Sequence, residues 1–333
     1  MASEDRQRVQ LEVKGSEFID LFDKGRYAEA AALMEETGRK VRQGRARAGV
    51  HLAWDSSDYD LESKLTRVET PGMRTGIESI DDAFSGFQLH QLVTYLGRSK
   101  ACKTAWLIQA ALAAQVDGWS ALIVSVEISA DSIADRLDCY AAGVDYTTYM
   151  RGRFTDQEKR KIRASQSNRG TEEYLTIVQP TGPYTITDLE TDIERYKPHA
   201  VFIDGFYFMI DRMTGKPGAN WEGHDNLARE LRELALRREV MILTTMQIRE
   251  KQARGGKTGG GFDDNTMMGG TGLIMASDYV ITLDMDNESK INTIACSRSR
   301  TAYLPTVRGI WKWKYSKFDE IPDDYGEDEE EEF

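Results

Sequence analysis

From about Thr75 to Tyr315 the chain alternates short apolar runs with amphipathic helical stretches, and this pattern narrows the choice of fold further than any other feature. The runs QLVTYL, ALIVSVE, EYLTIVQ, AVFIDGFYFMI, VMILTTM, DYVITLDM and INTIACS read as strands. Between the earlier runs lie the helical candidates SADSIADRLDCYAAG, ITDLETDIERY and HDNLARELRELALRRE. The last places Leu227, Leu231, Leu234 and Leu236 largely on one side. Alternation of this kind predicts an α/β domain with a mostly parallel, twisted central sheet, which binds ligands at one edge.

The stretch GRSKACKT, residues 97–104, sits between the run QLVTYL and the helical pattern KTAWLIQAALAAQ. Strand, loop and helix in that order are what a phosphate-binding loop requires. Backbone N–H groups of Gly97, Arg98, Ser99, Lys100, Ala101, Cys102, Lys103, Thr104 and Ala105 would surround the phosphates. Lys103 would reach the outer phosphates, and the Thr104 hydroxyl would coordinate magnesium. Cys102 stands where the usual pattern has glycine, and its Cβ is expected to strain the loop or crowd the phosphates.

Hydrolysis of a nucleotide needs an acid near the metal, a group that handles water, and a positive charge for the transition state. Asp204, at the end of AVFID, is the candidate magnesium acid, although an acid at a strand-to-loop junction is common. Glu127, at the end of ALIVSVE, is the candidate base; Ser129 is the better cap for the following helix, which leaves the glutamate free for chemistry. Gln247 follows VMILTTM and can sense phosphate or orient water. Arg298 and Arg300, after INTIACS, could act in their own subunit or as arginine fingers on a neighbour's nucleotide; alternatively they are surface charge.

The rest of the chain sets the context. Residues 1–71 form a polar arm and linker with a helical stretch carrying Phe18, Leu21, Phe22, Ala28, Ala31, Ala32 and Leu33; it packs either on its own domain or on a neighbouring subunit. Residues 250–270 hold seven glycines with Lys251, Arg254 and Lys257. Together with Arg249, and with Lys216 in the loop 213–223, they make two basic loops that read as solvated surface or, since each follows a strand candidate at the ligand-binding edge, as a ligand contact. The alternating WKWKY, 311–315, reads as a half-exposed strand in preference to a nucleic-acid strip. A net charge of −12 does not exclude a nucleic-acid partner, because ten acids and no Lys or Arg lie from Asp319 onward, leaving −2 on the body. No apolar run is long enough to span a bilayer, the first residues are polar, and the three cysteines lack metal or disulfide spacing, so no membrane association and a cytoplasmic location are expected.

The order of these motifs resembles the RecA-like ATPase domain of DnaB-family replicative hexameric helicases, above all phage-encoded members, over about residues 72–318. TGIESIDDAFSGFQLHQLVTYLGRSKACKT resembles the approach to the loop, ALIVSVEISADSIADRL the catalytic-glutamate segment, AVFIDGFYFMI the Walker B strand, LTTMQIRE the sensor strand and ACSRSRTAYLPTVRG the finger segment. The resemblance implies an ATP- and magnesium-dependent ring motor moving on single-stranded DNA through the two basic loops, with Arg300 as the finger and Arg298 where the family carries lysine. The bacterial host cytoplasm would be its location if it is phage-encoded. The arm is too short to carry over primase or loader docking through the family's N-terminal domain. The tail from 319, ending in DDYGEDEEEEF, resembles acidic tails that engage replication partners such as a polymerase, a primase or a single-strand-binding protein. Two other readings remain open: a RecA-like recombinase or annealing ATPase, and an assembly subunit that hydrolyses poorly because of Cys102.

Overall fold

The computed structural model describes residues 18–27, 29, 30, 33, 72–168, 175–211, 216, 217, 221–248 and 271–322. The chain divides into two units, Met1–Val68 and Glu69–Phe333. In the first, the described helical turns from residue 18 stop at Lys24 and Gly25. Gly25, at φ 71°, lets its N–H reach Phe22 O and the Arg26 N–H reach Leu21 O. The arm is therefore broken at Gly25 and not one continuous helix; Ala28, Ala31 and Ala32 lie outside the described residues.

The second unit holds α1 (Glu78–Ala83), β1 (Leu92–Gly97), α2 (Lys103–Val116), β2 (Ala121–Ser125), α3 (Ala130–Ala142), α4 (Tyr146–Met150), α5 (Asp156–Asn168), β3 (Leu175–Val178) and α6 (Ile186–Tyr196). It continues with β4 (Ala200–Asp204), β5 (Ile210–Asp211), β6 (Lys216–Pro217), α7 (Trp221–Arg238), β7 (Met241–Gln247), α8 (Thr271–Ala276), β8 (Tyr279–Met285), β9 (Ile291–Ser299), β10 (Val307–Lys312) and β11 (Lys317–Ile321). Nine strands form one sheet in the order β11-β10-β9-β8-β1-β7-β4-β2-β3. Pairing is parallel from β3 to β8 and antiparallel from β8 outward.

Residues of β1, β2 and β4 are buried throughout, as expected of strands covered on both faces. Side chains alternate between two cores. Val93, Tyr95, Ile123, Phe202 and Leu243 pack against α2 and α3, whereas Leu92, Leu96, Leu122, Ile203 and Ile242 pack against α6, α7 and α8. Each fully buried aliphatic side chain contributes about 1.5–3 kcal/mol, so this two-sided burial holds the strands' ends in register. Helix α2 is buried along Ala105, Trp106, Leu107, Ile108, Ala110 and Ala111. Its alanines allow close approach to the sheet at no cost in helix propensity.

Four details depart from the sequence pattern. Leu236 is 50% exposed, while Ala228 and Ala235 complete the buried face of α7 with Leu227, Leu231 and Leu234. The run AVFIDGFYFMI breaks after Asp204 into a 3₁₀ turn, Phe206–Phe208, because Gly205 takes φ 93°. WKWKY is strand only to Lys312, and Trp313–Tyr315 form a second 3₁₀ turn. Asp319 and Glu320 lie in β11, where Asp319 pairs with Lys312 and Lys317. The tail from 323 and the linker before 72 lie outside the described residues.

Candidate nucleotide site

Strands β1 and β7 are neighbours, yet the chain leaves β1 through α2 on one face and runs from β7 to α8 on the other. The end of β1 is thus a switch point, where open α/β sheets hold ligands. Gly97 closes β1 opposite Gln247 of β7 and Leu283 of β8. A Cβ on Gly97 would stand 2.7 Å from Leu283 O, so only glycine lets the three strands end together.

Beyond Gly97 the tips Arg98, Ser99 and Lys100 are exposed, and Ala101 is buried under them. Cys102 is the N-cap of α2 at φ 56°, ψ 26°, and its side chain caps nothing. The first N–H groups of a 14-residue helix are therefore left without a capping side chain, which fits the phosphates of a nucleotide. Cys102 keeps the left-handed backbone that glycine would adopt, and its half-buried side chain packs against the core. Burial pushes the thiol's pKa up, opposed by Lys103 and Arg136.

Lys103 Nζ donates to Arg98 O at 2.8 Å and Gly97 O at 3.2 Å, which holds it across the loop. Burial lowers its pKa, while Glu127 and Asp204 act against that shift. The Thr104 hydroxyl donates to the Asp204 carboxylate, at 2.9 Å to Oδ2 and 3.2 Å to Oδ1. Asp204 is 1% exposed, and burial raises its pKa despite the Thr104 hydrogen bond. A hydroxyl and a carboxylate side by side, all oxygen, fit a magnesium ion, which is bound through few protein ligands.

The sheet brings Glu127 and Gln247 to the same edge. Ser125 pairs with Asp204, so Glu127 emerges two residues past the end of β2 beside it. Gln247 is exposed at the tip of β7, and Ile248 N donates to Gly97 O at 3.1 Å. Ser129 caps α3 by accepting from Ser132 N, which leaves Glu127 outside the cap. Two residues join the site that the sequence pattern did not mark. Thr245 Oγ1 donates to Asp204 Oδ1 at 3.2 Å and accepts from Gly205 N at 2.9 Å. Tyr207 donates its phenol to Glu127 Oε2 at 2.7 Å. Buried Thr245 within an apolar strand was a readable signal. Tyr207 gave none, since its position depends on the turn at Gly205.

Arg298 and Arg300 are elsewhere. Strand β9 runs antiparallel to β8 and places Arg298 opposite Val280, while Arg300 N donates to Asp278 O at 3.0 Å. Asp278 accepts from Leu92 N at 2.8 Å and pairs with Arg232, so Arg300 lies beside the start of β1. Its own loop leaves from the far end, five residues or about 16 Å away at ~3.3 Å per residue. Arg300 is exposed, with Met275 O as an acceptor at 2.7 Å. Of the expected nucleic-acid contacts, Arg249, Lys251, Arg254 and Lys257 lie outside the described residues; Lys216 lies in β6, opposite Asp211. Among the described residues no helix is long and apolar enough to cross a membrane.

A mostly parallel sheet with an uncapped phosphate loop at its switch point, a buried acid on the strand beyond and an antiparallel extension defines a RecA-like ATPase core. Residues 72–320 match the model of the DnaB-like helicase C terminal domain, and the chain belongs to that family. It is 23% identical over 269 residues to the replicative DNA helicase DnaB of Geobacillus stearothermophilus, a match covering 75% of this chain and 57% of that relative. The chain thus spans little more than half of that relative's length. Among solved structures its fold is similar to an isolated ATPase domain, with TM-score 0.69 at 15% identity over 79% of this chain and 96% of that one. It is also similar to a DnaB-like replicative helicase described with its interactions with primase, with TM-score 0.77 at 15% identity over 95% and 76%.

Proposed function

We propose that the chain is an ATP-driven motor that moves along single-stranded DNA and unwinds duplex DNA as a homo-oligomeric ring, with each nucleotide held between two subunits. The observation that carries this reading is the separation of the arginines from the loop along one sheet. Arg300 lies beside Leu92 at the start of β1, while Lys103, Thr104, Asp204, Glu127 and Gln247 gather at its end. A rigid sheet cannot bring them together within one chain, so a complete site needs a second copy to supply the guanidinium.

In this reading the α2 N-terminus and Lys103 bind the phosphates, and Thr104 and Asp204 hold magnesium. A magnesium ion held there would supply positive charge for the phosphates. Glu127 accepts a proton from the attacking water, and Gln247 reports the state of the phosphate. Arg300 of a neighbour stabilises the transition state, with Arg298 beside it. Lys216, Arg249, Lys251, Arg254 and Lys257 would grip DNA phosphates without sequence preference. The acidic tail would engage a replication partner such as a polymerase, a primase or a single-strand-binding protein.

The experiment is DNA-stimulated ATP turnover of two variants, alone and mixed. Lys103→Ala and Arg300→Ala should each abolish turnover, and an equal mixture should recover about a quarter of the interfaces, those pairing an intact loop with an intact arginine. Recovery absent from the mixture, with both variants folded, would place the arginine's action within one chain and defeat the ring reading.

A further inference from the structure

Glu127 lies past the end of β2 in an exposed turn, where a glutamate side chain samples many rotamers. A base must be held within a few tenths of an ångström of a productive pose, and misplacement of about 1 Å costs on the order of a hundredfold in rate. The structure supplies a holder. Tyr207 Oη donates to Glu127 Oε2 at 2.7 Å.

The backbone that presents Tyr207 is built for that reach. Gly205 turns the chain immediately after Asp204 at φ 93°, and a Cβ there would meet Phe208 Cδ2 at 2.9 Å and Glu127 Cβ at 3.5 Å. Thr245 pins the turn by accepting from Gly205 N at 2.9 Å. The Tyr207 ring stands beside Phe208, with centroids 4.5 Å apart. We propose that Tyr207 is a positioning residue for hydrolysis: its phenol fixes the Glu127 carboxylate at the edge of the sheet where Asp204 and the phosphate loop meet.

This inference rests on the nucleotide reading above, and the test separates the two. The parent protein, Tyr207→Phe, Glu127→Gln, the double variant and Lys103→Ala are compared in steady-state ATP hydrolysis on single-stranded DNA, alongside binding of a fluorescent ADP. Tyr207→Phe keeps the packed ring, so ADP binding and the KM for ATP should stay unchanged while kcat falls about ten- to hundredfold. In the Glu127→Gln background the same change should cost less than about twofold, because the phenol acts through the carboxylate. An equal loss in both backgrounds, an unchanged kcat in Tyr207→Phe, or loss of ADP binding in that variant would each overturn the positioning role. Turnover that survives Lys103→Ala would instead overturn the nucleotide reading, and this proposal with it.

Discussion

The parallel and antiparallel halves of the one sheet differ in where they deliver their functional side chains. Every parallel strand ends on the same side, so β1, β2, β4 and β7 bring the phosphate loop, Glu127, Asp204 and Gln247 to a single edge. At β9 the chain reverses direction, and that reversal carries Arg298 and Arg300 to the opposite end. The two halves also differ in burial. The central strands are covered on both faces, whereas β9 and β10 alternate buried and partly exposed residues. One half thus gathers the candidate site at one edge, and the other presents its arginines from the opposite end. The lesson is that strand direction alone decides which groups a chain can use on its own nucleotide.

Three changes would break or sharpen this contrast. The largest effect is expected from Arg300→Ala, which should lower kcat about a thousandfold while leaving ADP affinity close to the parent, since the binding edge is untouched. A parallel fall in affinity, read by fluorescence titration, would mean that Arg300 serves its own subunit's loop. Next, Arg232→Ala removes a partner of Asp278, which is only 5% exposed at the arginine end. It should destabilise the fold by about 3 kcal/mol in denaturant titration, because a carboxylate is left under-compensated. The smallest effect on stability is expected at the loop edge. Asp204→Asn should abolish hydrolysis yet raise the stability of the nucleotide-free protein by about 1 kcal/mol. Asp204's pKa is raised by burial, so the stability it contributes is complete below the ordinary carboxylate range and is lost as pH rises through its folded value. The advantage of the asparagine in melting temperature should therefore grow with pH; a constant or shrinking difference would show that the buried charge is not the cost.

Much of this was legible in the residues. The apolar runs located β1, β2, β4, β7 and β8, because strands buried on both faces are apolar along most of their length, and shorter or mixed runs located the partly exposed β3 and β9. Glu127, Asp204 and Gln247 were offered as candidates by their place at the end of such runs, and Lys103 and Thr104 by opening the helix after one. The helices α4 and α5 were not, nor was the strand β11. The helix α5 buries no residue fully, so its sequence lacks a strong apolar stripe. Strand β11 reads as acidic chain until the lysine partners of Asp319, Lys312 on β10 and Lys317 at the start of β11, are known.

The loop at 97–104 was offered as a candidate by the sequence alone, since a lysine and a threonine opening a helix after an apolar strand are a local pattern. Three things were decided only by the tertiary structure. Cys102 holds a glycine's backbone conformation because its side chain finds room against the core. Tyr207 reaches Glu127 because the chain turns at Gly205, across 80 residues of sequence separation. The arginines stand apart from the loop because β9 runs against β8. Each depends on the direction of chain segments distant in sequence, which local pattern cannot encode because a strand's period is the same whichever way it runs.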